Sequence, residues 1–341
     1  MVLTIINLKV SKMKKIGFLC IILGFFLVFA PLLSLIGSDP ALSPKPESNT
    51  QPTDKDKESN AENMSSQEND IFQVYIKEKN EVVSLSALDY ITGVVAAEMP
   101  AVYDAEALKA QAVASYTYAY YIRSRSIASP DASIKGAHIS DQSTAHQAYR
   151  SPEKLKELWG DDFDTYYTKV KNAVSEVVGK LIVYEDEPIM AAFHAMSWGQ
   201  TENCKNVWGG DVSYLVSVDS SGDKTSSSFI NTFTFSEQSF KNILSINDDT
   251  VTIGEITHTQ AGMVDTITIN GKDYSGMKIR SLFSLASPCF TLERQNGNFI
   301  FTTKGKGHGV GLSQNGANAL AKEGYNWEEI LLHYYQDVSI I

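Results

Sequence analysis

The chain has 341 residues, of which 43% are hydrophobic and 20% charged, an ordinary globular balance with enough apolar material for a sizeable core. Its net charge of −11 argues against nucleic acid as a partner, because an acidic surface repels phosphates. Three cysteines, Cys20, Cys204 and Cys289, are too few for a disulfide framework and match no zinc spacing, and the sequence leaves Cys204 and Cys289 free or bridged with equal weight.

Residues 1–15 form a short N-terminus carrying Lys9, Lys12, Lys14 and Lys15. Residues 16–36 are an almost unbroken apolar run of 21. A helix of that length spans roughly 30 Å, the thickness of a hydrocarbon core. Basic residues precede the run and no basic cluster follows closely, so residues 1–15 are placed in the cytoplasm and the rest outside. The run is longer than a signal-peptide core and no A-x-A site follows, which favours a retained transmembrane anchor. Residues 37–70 are polar, with almost no large side chain to bury. They read as a disordered tether with a reach of roughly 30 Å.

Residues 71–341 form the folded part. Strands are predicted at 71–76 and 82–85. Ser86 caps a helix over 87–99, with Asp89 as a weak capping box and Pro100 as its stop. Asp104 caps a second, alanine-rich helix to about residue 123. Residues 131–147 read as a loop, followed by a helix over 166–178 that ends at Gly179. Strands follow at 181–184 and 189–194. Beyond Thr225, strand-like runs surround a short helix near Phe240. Asn270-Gly271 and Asn296-Gly297 read as hairpin turns. Helices over 313–322 and 327–335 close the chain. Helices and strands mix without βαβ alternation, which predicts an α+β fold with antiparallel-rich sheets in one composite region.

On the first helix, Leu88, Ile91, Val95 and Met99 share a stripe, and Glu98 falls inside it. Burial raises a carboxyl pKa, and the negative end of the helix pushes the same way. A glutamic acid that keeps its proton near neutral pH can serve as a general acid. The ordinary alternative is a stripe-edge glutamate paired with a base. His194 ends a predicted strand and is followed by Ser197 and Thr201, polar residues placed to line a cleft or simply to pack at a strand edge. Gly305, Gly307, Gly309 and Gly311 flank His308, where backbone can approach a ligand closely. With a helix beginning at Ser313, this stretch suits an oxygen-rich ligand held by His308, Ser313 and Gln314. It equally suits a tight turn capped by Ser313. Trp208, Tyr214 and Tyr335 could stack on sugar rings but read first as core.

Three ordered blocks carry a resemblance. Val94-Val95-Ala96-Ala97-Glu98-Met99-Pro100, followed by Glu106-Ala107-Leu108-Lys109-Ala110-Gln111-Ala112, is the first. Phe193-His194, Ser197, Gly199, Thr201-Glu202 and Val207-Trp208-Gly209 form the second. Gly307-His308-Gly309-Val310-Gly311-Leu312-Ser313-Gln314, with His333-Tyr334-Tyr335, forms the third. Together they resemble the stage II sporulation protein D family across essentially all of 71–341. The resemblance implies a lytic transglycosylase that cuts the β-1,4 bond between N-acetylmuramic acid and N-acetylglucosamine in peptide-free glycan strands, leaving 1,6-anhydro ends. It implies Glu98 as the catalytic residue, with His194, Ser197, Gly199, Thr201, His308, Gly309, Ser313 and Gln314 as substrate-binding candidates. It implies engulfment of the forespore as the setting. The implied partners are denuded peptidoglycan, a membrane-bound sporulation amidase and its associated membrane protein, with the chain anchored in the mother-cell membrane.

A lytic cut needs one carboxyl group, because the sugar's own 6-hydroxyl replaces water; a hydrolase needs two. Glu106 and Glu202 are the candidates for a second carboxylate. A hydrolase and a non-catalytic peptidoglycan-binding scaffold are the competing readings. Some relatives hold zinc in the loop after the second helix through His…Cys-x-x-x-His-Cys. Here His138 and His146 are present, but Gln142 and Gln147 stand at the cysteine positions. An amide oxygen is a poor zinc ligand, so neither a tight zinc site nor a cofactor is expected. Tyr116 stands where the family often has arginine, and Ala195, Met196 and Trp198 also depart from its pattern.

Overall fold

The structure, a computed structural model, describes residues 70–341. The anchor predicted over 16–36 and the tether before Asp70 lie outside the described residues. Among the described residues, no helix is long and apolar enough to cross a membrane.

The chain opens with a hairpin, β1 (Ile71–Ile76) antiparallel to β2 (Glu81–Ser86). Helix α1 (Ala87–Glu98) starts at Ser86, whose Oγ accepts the Asp89 N–H, and ends where Met99 turns extended before Pro100. Helix α2 (Ala105–Ala128) is capped by Asp104 and runs five residues beyond the predicted end. Its small side chains, Ala107, Ala110, Ala112 and Ala114, are fully buried and let other helices approach on several sides. β3 (Ile139–Ser140) then pairs parallel with β1 inside the segment predicted as loop.

A helix missed by the sequence reading, α3 (Pro152–Trp159), begins with Ser151 as cap and Pro152 at its first position. Its short amphipathic pattern gave too little periodicity to notice. Helix α4 (Phe163–Val177) starts three residues earlier than predicted. β4 (Ile182–Tyr184) and β6 (Phe193–His194) follow as shorter forms of the two predicted strands, with β5 (Glu187–Pro188), which was not predicted, between them. A one-and-a-half-turn helix, α5 (Cys204–Trp208), was also unforeseen.

Residues 230–304 have a hydrophobic core of their own. β7 (Ile230–Ser236), α6 (Glu237–Leu244), β8 (Ile253–His258), β9 (Val264–Ile269), β10 (Lys272–Ser275), α7 (Gly276–Phe283), β11 (Phe290–Gln295) and β12 (Asn298–Lys304) build two three-stranded antiparallel sheets with two helices. Phe240, Phe283, Phe299 and Phe301 fill this second core. Both predicted turns are present. Asn270 and Gly271 (φ 46° and 72°), and Asn296 and Gly297 (φ 50° and 75°), take the paired left-handed conformation of a tight hairpin. Entry and exit are neighbours, Ile230 pairing with Lys304, so the whole unit reads as an insertion at one point of the larger body.

After it, β13 (Leu312–Ser313) pairs parallel with β6, α8 (Gln314–Lys322) and α9 (Trp327–Tyr334) pack on α2, and β14 (Ser339–Ile340) joins β4. The architecture is α+β, as expected. Cys204 and Cys289 are both free.

Candidate active site

Glu98 is the last residue of α1. Its stripe-mates Ile91, Val95 and Met99 are buried, and Glu98 itself is partly covered. One carboxylate oxygen, Oε1, accepts the Ala148 N–H at 2.7 Å. Burial pushes the Glu98 pKa above the ordinary carboxylate value. The Ala148 amide, the nearby Gln314 side chain and the Arg150 charge act in the opposite direction without overcoming it. Arg150 forms no ion pair with Glu98. Gln314 is 4% exposed, and its side chain leans on the Glu98 carboxyl as a weak donor without reaching ordinary hydrogen-bond geometry. A buried amide held only loosely beside a proton-retaining carboxyl is a polar centre that a ligand could complete.

Gln314 is placed by α8. Ser313 caps that helix, its Oγ accepting the Gly316 N–H, and the same hydroxyl donates to Asp223 at 2.8 Å. Asp223 is fully buried, and among the described residues no cation pairs with it. Its carboxylate accepts from Ser197 N–H, Ser220 Oγ, Ser313 Oγ and Asn315 Nδ2. Hydrogen bonds thus replace a counter-ion. Asp223 ties the loop after β6 to the start of α8. The sequence reading missed it, because a lone aspartate in a Ser-Gly-Asp-Lys run looks like an exposed turn.

His194 sits beside Ser313 through the β6–β13 pairing and is 4% exposed. Its Nδ1 meets the Val310 carbonyl at 3.1 Å, while Nε2 is buried without a partner among the described residues. Burial lowers its pKa to about 4, so the ring is neutral near pH 7. His308 faces it with ring centroids 5.7 Å apart, and its Nδ1 accepts the Val310 N–H. Burial, with the neighbouring His194 and Arg280 acting in the same direction, lowers the His308 pKa to about 3. His308 keeps more surface than His194. Trp208 packs on His308 at 5.1 Å and is 38% exposed, an aromatic face at the surface rather than in the core. Tyr335, by contrast, is fully buried.

Gly309 has φ +85°, and a Cβ there would fall 2.2 Å from the Trp198 ring. Gly199 has φ +103°, and a Cβ there would strike the Lys224 side chain at 2.1 Å. The positive φ favours glycine at both positions, and at Gly309 the Trp198 ring adds a clash, whereas Lys224 at Gly199 could move aside. Ser197, Thr201 and Ser313 are fully buried and engaged internally. Ser197 Oγ accepts the Gly199 N–H, and Thr201 Oγ1 donates to Val216 O and accepts the Val218 N–H. These three hydroxyls build the loops around the site. At this site, among the described residues, His194 Nε2 and Gln314 Nε2 are buried without a partner of ordinary geometry, and Glu98 is engaged through one oxygen.

The two candidate second carboxylates are both engaged. Glu106 pairs with Lys109 and accepts the Trp327 N–H. Glu202, 1% exposed, accepts from Asn203 N–H, Asn206 Nδ2 and Thr259 Oγ1.

The loop at 138–147, where no tight zinc site is expected, is fastened by hydrogen bonds. His138 and His146 each turn Nδ1 to a backbone N–H, of Gln73 and Ser140. Gln142 Oε1 accepts from Lys77, and buried Gln147 donates to Tyr90 Oη and Ser115 O. No group of three or more His, Cys, Asp or Glu among the described residues is placed to hold a metal. The residues do not fit zinc.

With this geometry in view, the comparisons are specific. A family model described as Stage II sporulation protein matches residues 56–184. Stage II sporulation protein D of Bacillus amyloliquefaciens is 39% identical over 271 residues, covering 78% of this chain and 77% of that protein. The chain belongs to the stage II sporulation protein D family. Stage II sporulation protein D of Bacillus subtilis (strain 168) is 38% identical, covering 78% of each chain. A protein named Amidase enhancer, from the same strain, is 26% identical over 309 residues, covering 73% of this chain and 40% of its own length. This is a sporulation protein. Its Tyr116 donates its hydroxyl to Asp70.

Proposed function

We propose that this sporulation protein is a lytic transglycosylase that cuts the MurNAc–GlcNAc bond of peptide-free peptidoglycan strands and leaves 1,6-anhydro-MurNAc ends. The observation that carries the reading is Glu98: a carboxyl whose proton affinity is raised by burial, beside the loosely held buried amide of Gln314. Protonated Glu98 donates to the glycosidic oxygen as the bond breaks. The resulting carboxylate takes the proton of the sugar's 6-hydroxyl as that oxygen closes on the anomeric carbon. One carboxyl group serves both steps, which suits a site whose other candidate carboxylates, Glu106 and Glu202, are occupied by internal hydrogen bonds.

Gln314, His194 and His308 are assigned to hold the sugar, with Trp208 as a stacking face. Ser197, Gly199, Thr201, Gly309 and Ser313 are assigned to shaping the loops that present them. The name of the Amidase enhancer relative supports an association with an amidase that strips the stem peptides. Anchoring through residues 16–36, with the folded part facing the forespore, completes the reading. The test is direct. Purified protein incubated with peptide-free strands generates anhydro termini identifiable by mass, and Glu98→Gln keeps the fold but abolishes them. Retained cleavage by Glu98→Gln, or reducing ends in place of anhydro ends, overturns the assignment.

A further inference from the structure

The insertion contributes a cation to the His308 loop that the catalytic reading does not use. Arg280, on α7, is half-buried and reaches solvent. Its Nε donates to Ala286 O at 3.3 Å, and the Gly307 N–H donates to the same carbonyl at 2.9 Å. One oxygen therefore seats the guanidinium root against the residue preceding His308. The outer guanidinium nitrogens have no partner, and Arg280 forms no ion pair, among the described residues. Glu202, whose N–H donates to Gly309 O, has its carboxylate engaged by Asn203, Asn206 and Thr259 and does not neutralise it. Desolvation alone acts on the Arg280 charge. Lys304 and Lys306, exposed in the adjoining stretch, add to the positive character, against a chain of net charge −11.

A partly desolvated guanidinium without a counter-ion is costly, and it suits a planar anion with two oxygens. On the reading given above, the substrate supplies one. In intact peptidoglycan the lactyl group of muramic acid ends in a neutral amide to the stem peptide. Hydrolysis of that C–N bond consumes water, releases the peptide amine and leaves a carboxylate on the sugar. Peptide removal thus creates the group that an unpaired arginine reads.

We infer that Arg280, seated beside the His308 loop, binds the lactyl carboxylate of muramic acid and so confines the site to strands already stripped of peptide. A guanidinium donates two parallel N–H bonds to a carboxylate. An N-substituted amide offers one acceptor oxygen and an N–H that opposes the fork. Discrimination therefore rests on charge and shape together, and it makes this protein act after an amide-cleaving step.

The test compares peptide-free strands with the same strands after conversion of lactyl carboxylates to methylamides. The wild-type protein is expected to favour the carboxylate strands by about tenfold in kcat/KM, equivalent to about 1.4 kcal/mol. Arg280→Gln falls to the methylamide rate on both substrates, and Arg280→Lys keeps part of the preference. The same pair of strands is used to measure binding to the Glu98→Gln protein, with and without Arg280→Gln. This separates the two readings. If no anhydro ends form but binding still prefers carboxylate through Arg280, the catalytic assignment fails and this inference stands. Equal handling of both strands by the wild type overturns it, as does an undiminished preference in a folded Arg280→Gln. Should that variant not fold, the wild-type comparison and Arg280→Lys decide.

Discussion

At the scale of single residues, the site is a contest between burial and hydrogen bonding. Glu98 receives a backbone N–H from Ala148, which favours its anion, yet burial dominates and the pKa is raised from 4.5. The sign of the consequence follows by linkage. Above 4.5 the folded chain holds a proton that the unfolded chain has released. The stability from protonated Glu98 is complete below that value and is lost as pH rises through the raised one. Glu98→Gln carries no such term. The melting temperature of the variant relative to wild type is therefore expected to increase between about pH 4 and about pH 8. A difference that stays constant or shrinks with rising pH in thermal unfolding would contradict the burial argument. Cleavage by the wild type should decline over the same rise, as the acid form is depleted. Asp223 is fully buried as well, and its carboxyl is surrounded by hydroxyl, amide and backbone donors.

At the scale of elements, the stretch from Gly305 to Gly311 couples loop shape to one aromatic ring. Trp198 is 6% exposed and its Nε1 donates to Ala261 O of the insertion, so the ring cannot swing away without losing that bond. Gly309 lies under it with φ +85°. Gly309→Ala meets both a backbone penalty and a ring contact, and a loss of about 2–3 kcal/mol is expected in urea unfolding. In the Trp198→Ala background the steric part disappears and only the backbone part remains, so the double-mutant cycle should show a smaller Gly309→Ala effect than in wild type. Equal losses in both backgrounds would mean that the ring does not dictate the glycine.

At the scale of the whole molecule, two apolar cores carry the fold, one built around the alanine-rich α2 and one around the phenylalanine cluster of the insertion. The loop at 138–147 is held to the first core by Gln147 on Tyr90 and Ser115, with His138 and His146 committed through Nδ1 to backbone amides. Treatment with a strong chelator is thus expected to leave the melting temperature unchanged. A drop of several degrees, restored by zinc, would show that a metal is part of this fold. The insertion hangs on one strand pair, Ile230 opposite Lys304, yet it supplies the Trp198 and Glu202 contacts and Arg280.

Local chemistry made much of this chain legible from its residues alone. Ser86, Asp104 and Ser313 satisfy helix-start amides through their own side chains, and Asn-Gly pairs accept left-handed backbone, so caps and hairpins are written within a few residues. The stripe that buries one side of α1 likewise placed Glu98 toward the packed face. What required the tertiary structure was every contact across distance. Asp223 meets Ser313 across 90 positions, and Ser197, Thr201 and Ser313 turned out to be buried supports. Among the described residues, no carboxylate folds onto Arg280. Caps and turns depend on neighbours in the chain, whereas burial and charge pairing depend on which distant segments the packed cores bring together.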